Sequence, residues 1–221
     1  MCGKFTTQML DWGTLASLAE MRVVFGGPVE TVTPMRFATV IRLNDEDVRE
    51  TARMRWGFAR MSANDPVARP DHIHARAETI DSKPTFRESF EQRRGLLIVK
   101  TFNEGEEIGP RKTLQYTIAP RDGQPLAIAV IWERWVNAKD DELLTFVMVT
   151  TPANALIGKI TDRMPAVMPE SNWPKWLGEE PATAEELKAL LQPCDGDWDM
   201  QSEKKANPTP PKKPSPQLDL F

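Results

Sequence analysis

The sequence predicts an α+β fold with a mostly antiparallel, barrel-like β core and short flanking helices. Six short segments rich in β-branched and aromatic residues are bounded by Gly, Pro, Asp or Asn, which is typical of strands. They follow one another without regular crossover helices, which favours antiparallel pairing over a doubly wound parallel sheet. Four stretches show helical periodicity.

The predicted strands cover residues 37–43, 53–58, 96–102, 113–118, 126–132 and 144–150. Asp122 and Gly123 form a turn signal between the fourth and fifth of them, so we expect these two strands to form a hairpin. The predicted helices cover residues 9–21, 86–93, 154–160 and 183–191. The last of them begins with Thr-Ala-Glu-Glu, which is typical of a capping box at Thr183.

Composition and charge exclude several classes of protein. The 221 residues include 28 Lys+Arg and 32 Asp+Glu, and this net charge of −4 argues against a general DNA-coating protein while leaving room for a local basic groove. The two cysteines, Cys2 and Cys194, do not form a secreted disulfide framework. No apolar run approaches the roughly 20 residues that span a bilayer. We therefore expect a soluble monomer in a reducing compartment, without membrane association.

Three regions of the chain differ in composition. Residues 1–200 have the mixed composition of one domain. Residues 201–216, QSEKKANPTPPKKPSP, contain five prolines and no large apolar side chain, so we expect a disordered, extended linker. Residues 217–221 include three bulky apolar side chains, which a peptide of five residues cannot bury in a core of its own.

Cys2 is the first residue with distinctive chemistry. Removal of Met1 would leave an N-terminal cysteine, whose α-amine has a pKa of about 8 beside a thiol with a pKa of about 8.5. Such an aminothiol suits aldehydes, because the amine forms an imine and the nearby thiol then closes a five-membered thiazolidine ring. The alternative is that Met-Cys-Gly is an ordinary chain start.

A second candidate is His74-Ala75-Arg76-Ala77-Glu78-Thr79. In an extended segment residues 74, 76 and 78 share one face, and Arg76 suits bidentate recognition of a phosphate. Residues 53–76 contain five arginines, two acids and Trp56, a composition that fits a groove for single-stranded nucleic acid. The alternative is a solvated strand with an Arg–Glu pair. His72 and His74 lack a third ligand cluster, so we expect neither a metal nor a cofactor.

Two further segments place polar groups beside apolar ones. Glu104 follows a strongly apolar predicted strand, where a partly desolvated carboxylate can act as a general acid or base. The alternative for Glu104 is a surface turn. Residues 159–168, KITDRMPAVM, form by themselves a charged loop before an apolar segment.

Taken together, these segments resemble the SRAP family, the abasic-site-processing proteins also called SOS-response-associated peptidases. The resemblance covers roughly residues 2–178 in the family's order. It is carried by Met1-Cys2-Gly3-Lys4-Phe5, Arg55-Trp56-Gly57-Phe58, Ala75-Arg76-Ala77-Glu78-Thr79, the segment 121–133, Thr150-Thr151-Pro152-Ala153-Asn154 and Asp162-Arg163-Met164-Pro165.

The resemblance implies that Cys2 attacks the ring-opened deoxyribose aldehyde of an abasic site in single-stranded DNA. The product would be a stable thiazolidine crosslink between DNA and protein. The resemblance also implies that Glu104 transfers protons during sugar ring opening and that Trp56 stacks near the unpaired step. DNA contacts are implied for Lys4, Arg76 and Arg163, with Arg76 holding a flanking phosphate.

Two candidate catalytic positions depart from the family's pattern. His74 stands where the family has an asparagine that orients the sugar, so an imidazole replaces an amide. Thr161 stands where the family has a histidine that is credited with Schiff-base chemistry and crosslink reversal.

The end of the chain carries a resemblance of its own. Gln217, Leu218, Asp219, Leu220 and Phe221 resemble the pentapeptide by which bacterial replication and repair proteins bind the sliding clamp. This resemblance implies a bacterial, cytoplasmic protein that works near replication forks, with the clamp as a partner. The alternative is a fortuitous apolar terminus.

Three functions therefore compete. The leading one is an enzyme-like repair protein that crosslinks abasic sites. The second is a non-catalytic adaptor that binds single-stranded DNA and is held at forks by the clamp. The third is a thiol peptidase, whose cleavage could be limited to autoproteolytic removal of Met1.

Overall fold

The structure of the protein is a computed structural model, which describes residues 2–8, 29–59, 72–137, 139 and 141–203. The predicted helix at 9–21 and the clamp-like peptide at 217–221 lie outside the described residues. The described residues form twelve strands: β1 (Lys4–Gln8), β2 (Val29–Val32), β3 (Phe37–Leu43), β4 (Arg49–Trp56), β5 (His74–Arg76), β6 (Arg94–Val99), β7 (Thr101–Gly109), β8 (Lys112–Pro120), β9 (Leu126–Val136), β10 (Glu142–Pro152), β11 (Arg163–Pro165) and β12 (Trp198–Ser202).

Five of these strands close into a barrel. The strands β10, β4, β3, β6 and β9 pair in that order, and β9 returns to pair with β10. Most of these pairings are antiparallel, but β10 runs parallel to β4 and, further along, to β5. Strand β11 extends the sheet beyond β10. The predicted α+β class with a barrel-like, mostly antiparallel core is confirmed.

A second sheet of five strands, in the order β12-β8-β7-β1-β2, packs against the barrel. The two sheets share one buried cluster, in which Phe5 and Phe102 from the second sheet meet Val40 and Trp56 from the barrel. In this sheet β1 lies antiparallel to β7, with Lys4 opposite Asn103. This pairing brings the start of the chain to the middle of β7.

The predicted hairpin at Asp122 and Gly123 is wrong. Strand β8 pairs with β7 and β12, whereas β9 pairs with β6 and β10 in the barrel. Gly123 does adopt a positive φ of 70°, so the turn exists and carries the chain from one sheet to the other. The turn signal predicts only that the chain turns at this point. The partner of each strand depends on its packing against strands that are distant in sequence.

Within the described ranges, three short α-helices cover the barrel: α1 (Arg87–Gln92), α2 (Trp173–Leu177) and α3 (Ala184–Ala189). Phe90, Trp176 and Leu187 from these helices join a second buried cluster with barrel residues. The capping box predicted at Thr183 is present, with Glu186 as its reciprocal partner. The helix predicted at 154–160 is reduced to a 3₁₀ turn at Ile157–Lys159.

The folded body extends beyond the predicted boundary at residue 200. Gln201 and Ser202 belong to β12 and pair with Thr117 and Tyr116, because β8 offers them an open edge. The predicted linker therefore begins no earlier than residue 204, and residues 204–216 lie outside the described part. No helix of the described part combines the length and apolar character that crossing a membrane requires.

Candidate active site

The thiol of Cys2 is buried where β1 meets β7. The side chain is 1% exposed. Its Sγ donates a hydrogen bond to the Lys4 carbonyl at 3.3 Å and lies against the backbone of Asn103. Burial, helped by the nearby charge of Glu104, raises the pKa of the Cys2 thiol from 9.0 to about 12. At neutral pH the sulfur is therefore a protonated thiol rather than a thiolate.

Glu104 lies inside β7 rather than at the end of a strand or in a surface turn, and it is 1% exposed. Its carboxylate lies against the backbone N–H of Cys2. Burial raises the pKa of Glu104 from 4.5 to about 7. Both protonation states are then populated near neutral pH, which is the condition a group needs to accept and to donate protons.

His74 completes this cluster from the barrel side. It begins β5, and its ring lies against the backbone of Cys2. Its Nε2 is buried and finds no hydrogen-bond partner among the described groups. Burial lowers the pKa of His74 from 6.5 to about 4, so the imidazole is neutral at physiological pH. Cys2, Glu104 and His74, which are far apart in the sequence, thus meet at one place.

The loop that contains Thr161 lies beside Glu104. Burial is the main cause of the raised pKa of Glu104, and the charge of Asp162 contributes to it in the same direction. Asn154 holds this loop through bonds to the Cys194 carbonyl at 2.8 Å and from the Ile157 N–H at 2.9 Å. Thr161 is half-buried, and its N–H donates to the carbonyl of Ile157.

Trp56 does not reach a surface on which a base could stack. It is 0% exposed and its indole N–H donates to the Ile73 carbonyl at 2.9 Å. Its ring packs 5.3 Å from that of Phe5 and meets the His74 ring edge-on at 6.0 Å. Trp56 therefore packs between Phe5 and His74 in the core beside the site. The stacking role predicted for it is corrected to a packing role.

The burial of Trp56 leads to a prediction about stability. Trp56→Ala is expected to destabilise the protein by about 3–5 kcal/mol, because it removes a large side chain from a closed core. Trp56→Phe, which keeps most of the packing, should cost much less. Urea denaturation measures both effects. An alanine variant of wild-type stability would contradict the packing role.

Arg163 is also buried and serves the structure of the site. It is 8% exposed, and its guanidinium forms a bidentate ion pair with Glu78. The same group donates to the Thr150 carbonyl at 2.7 Å. Arg163 thus joins the segment after β5 to β10 and β11, and the DNA contact predicted for it is corrected to this internal pairing.

Arg76 and Lys4 remain at the surface. Arg76 ends β5 and is exposed, while Glu78 lies beyond the strand in a 3₁₀ turn at Ala77–Thr79. Lys4 is partly exposed and its Nζ is paired with Glu203 at 2.8 Å. Because Arg76 is exposed, its side chain is accessible to a phosphate.

Sequence reasoning missed Asn103 and Glu203, because no motif or spacing marked them.

The comparisons with known proteins give the family. The family model for SOS response associated peptidase (SRAP) matches residues 1–205. The chain belongs to the SRAP family. An SRAP relative from Bacillus subtilis (strain 168), named abasic site processing protein YoqW, is 30% identical over 192 residues, which cover 86% of this chain and 85% of the relative. Another from the same organism, abasic site processing protein YobE, is 29% identical over 175 residues, 79% of each chain.

Solved structures share the SRAP fold described above. A crystal structure of a protein from Bacteroides thetaiotaomicron has a TM-score of 0.76 at 23% identity, covering 92% of this chain and 93% of the other. A crystal structure of a protein from Bordetella bronchiseptica has a TM-score of 0.71 at 22% identity, covering 92% of this chain and 100% of the other. These likenesses concern the fold.

Proposed function

We propose that this SRAP protein processes abasic sites in single-stranded DNA by forming a thiazolidine crosslink through Cys2 after Met1 is removed. The observation that carries the proposal is the position of the buried carboxylate of Glu104, which lies against the backbone nitrogen of Cys2. Removal of Met1 converts that nitrogen into the α-amine. The nucleophile is then adjacent to a buried group that can transfer protons.

The reaction needs no group beyond those in the site. Glu104 takes the proton of the sugar's anomeric hydroxyl and returns it to the ring oxygen as the bond between C1′ and that oxygen breaks, which opens the ring to the aldehyde. The amine of Cys2 adds to the aldehyde carbon, and loss of one water gives an imine. The thiol then adds across the C=N bond, so that an S–C bond forms and the thiol proton passes to the nitrogen. The net change is the loss of one water per crosslink.

The state of the thiol favours this route over a thiol peptidase. A peptidase nucleophile must be a thiolate near neutral pH, and reactive cysteines have lowered pKa values for that reason. The pKa of Cys2 is instead raised to about 12. In the thiazolidine route the amine attacks first, and the thiol needs only to lie within reach of the imine carbon.

An abasic oligonucleotide separates crosslinking from the adaptor function. The protein is incubated with a single-stranded oligonucleotide that carries one aldehydic abasic site, and the mixture is run on a denaturing gel. We expect a shifted, heat-stable band. The matched control carries a tetrahydrofuran site, which has no aldehyde, and should give no shifted band. Binding of both oligonucleotides without any covalent band would favour the adaptor.

Arg76 is proposed to hold a phosphate next to the lesion, and this leads to a binding prediction. Arg76→Ala should weaken affinity for single-stranded DNA and reduce the slope of log affinity against log salt by about 0.7, the value for one lost phosphate contact on a single strand. Fluorescence anisotropy at several salt concentrations measures the slope. Arg121→Ala removes another exposed arginine, one that pairs with Asp199, and should leave the slope unchanged. An equal effect of both variants would show non-specific attraction only.

The sliding clamp is proposed as a partner on the sequence resemblance of residues 217–221. Leu218, Leu220 and Phe221 would fill apolar pockets and Gln217 would hydrogen-bond at their rim. Because a short peptide loses entropy on binding, the affinity should be modest, roughly micromolar. Deleting these five residues should abolish clamp binding in a calorimetric titration and leave clamp-free crosslinking unchanged. Clamp binding that survives the deletion would place the contact elsewhere.

A further inference from the structure

The carboxylate of Glu203 sits at the centre of a polar cluster where the folded body ends. It accepts hydrogen bonds from Lys4 Nζ at 2.8 and 2.9 Å, from Asn103 Nδ2 at 2.8 Å and from Thr117 Oγ1 at 2.8 Å. Its own backbone N–H donates to the Gln115 carbonyl at 2.7 Å, which continues the pairing of β12 with β8. Glu203 is therefore held both through its backbone and through its carboxylate.

Two of these partners are the residues that hold the Cys2 thiol. The Sγ of Cys2 donates to the carbonyl of Lys4 and lies against the backbone of Asn103. Lys4 and Asn103 lie opposite each other across the β1–β7 pairing. Glu203 binds both of their side chains, so it ties together the two pieces of backbone between which the sulfur lies.

Lys4 is the least constrained residue of β1 in its pairing. Phe5 and Thr6 pair with β2 on one side and β7 on the other, whereas Lys4 pairs with β7 alone. The ion pair with Lys4 also holds the pKa of Glu203 below its ordinary value, so Glu203 is a carboxylate at neutral pH. A charged acceptor bonded to three donors orders flexible side chains more strongly than a neutral one.

We infer that Glu203 is a positioning residue for the reaction at Cys2. By clamping Lys4 to Asn103 it sets the direction of the thiol, and hence the ease of ring closure on the imine. The inference rests on the proposed function. It assigns to Glu203 no contact with DNA and no proton transfer, and it predicts an effect on the rate of crosslinking rather than on the affinity for DNA.

The test is single-turnover crosslinking of abasic single-stranded DNA at a series of protein concentrations. Glu203→Ala is expected to lower the maximal rate about 10- to 100-fold, since a small misplacement of reacting groups has costs of this order. The half-saturating protein concentration should not rise, and the final extent of crosslinking should stay complete. Glu203→Gln keeps an acceptor oxygen for Asn103 and Thr117 and should fall between Glu203→Ala and the wild type.

Asp199→Asn is the matched control. Asp199 is an acidic residue of the same strand, β12, and it pairs with Arg121 at 2.8 Å, outside the cluster. It should crosslink at the wild-type rate. Thermal unfolding of all three variants shows whether each is folded at the assay temperature. A lower rate in a variant that is fully folded at the assay temperature then reports a displaced thiol and not a loss of folded protein.

The possible results separate the inference from the proposed function. If the wild type itself gives no crosslink, the proposed function is wrong. If the wild type crosslinks and Glu203→Ala reaches the same maximal rate, the inference is wrong and the proposed function stands. A loss that appears wholly as a higher half-saturating concentration would also overturn the inference, because Glu203 would then act on DNA binding.

Discussion

Cys2→Ser is expected to abolish the heat-stable crosslink with abasic DNA. A hydroxyl does not form an equally stable ring with the imine, so any adduct would reverse on heating. Affinity for intact single-stranded DNA should be nearly unchanged, because Cys2 is buried and 1% exposed. A denaturing gel measures the crosslink and fluorescence anisotropy measures the affinity.

The control for this prediction is the other cysteine. Cys194 is half-buried, and its contact with Asn154 uses its backbone carbonyl, so Cys194→Ser should crosslink as the wild type does. A second variant blocks the amine: a chain with an N-terminal extension that is not removed should also fail to crosslink. Normal crosslinking by the extended chain would exclude the thiazolidine mechanism.

Glu104→Gln is expected to slow crosslink formation by about 10²–10⁴-fold, the usual effect of losing one general acid or base. The amide keeps the size of the side chain but cannot transfer a proton. Wild-type rates measured from pH 5 to 9 should show an inflection near pH 7, where Glu104 titrates, and the variant should lack it. Glu107→Gln changes an exposed carboxylate of the same strand and should keep both the rate and the inflection.

Glu104 should also affect stability, with a defined sign. Its pKa is raised from 4.5 to about 7 on folding, so the unfolded chain loses this proton at lower pH than the folded protein does. The contribution of Glu104 to the free energy of unfolding therefore falls as the pH rises from about 4.5 to about 7. Relative to the wild type, Glu104→Gln should gain stability between pH 5 and pH 8 in urea denaturation. A constant difference across this range would contradict the raised pKa.

Local sequence was a good guide to where strands form. The strand predicted at 37–43 is found at Phe37–Leu43, and those predicted at 126–132 and 144–150 lie within β9 and β10. Strands β9 and β10 are buried over residues 127–133 and 145–151, and apolar runs of this length give a strong strand signal. Strands β5 and β11 were not predicted, since three residues are too few to show a period.

The partner of each strand could not be predicted from the local sequence. The turn at Asp122 and Gly123 was predicted correctly as a reversal, but the strands on either side of it belong to different sheets. Pairing depends on which edge and which buried face each strand completes, and these belong to residues distant in sequence.

For the candidate site, residue chemistry singled out Cys2, the segment that begins at His74, and Glu104, and the resemblance assigned them to one site. The resemblance also placed Trp56 and Arg163 on a DNA-binding surface, but in the structure both residues are buried. An aromatic ring or a guanidinium has the same chemistry in a groove and in a core, so residue type could not separate these cases.

The sequence by itself determined the α+β class, the aminothiol that Cys2 can provide and the composition of the segment after the folded body. Only the tertiary structure decided which groups surround Cys2. Lys4 and Glu203 are 199 positions apart, and neither lies in a motif that points to the other. Their contact exists because β1 and β12 both join the sheet built around β7 and β8. The raised pKa of Glu104 has the same origin, since burial is a property of the packed sheets and not of the local sequence.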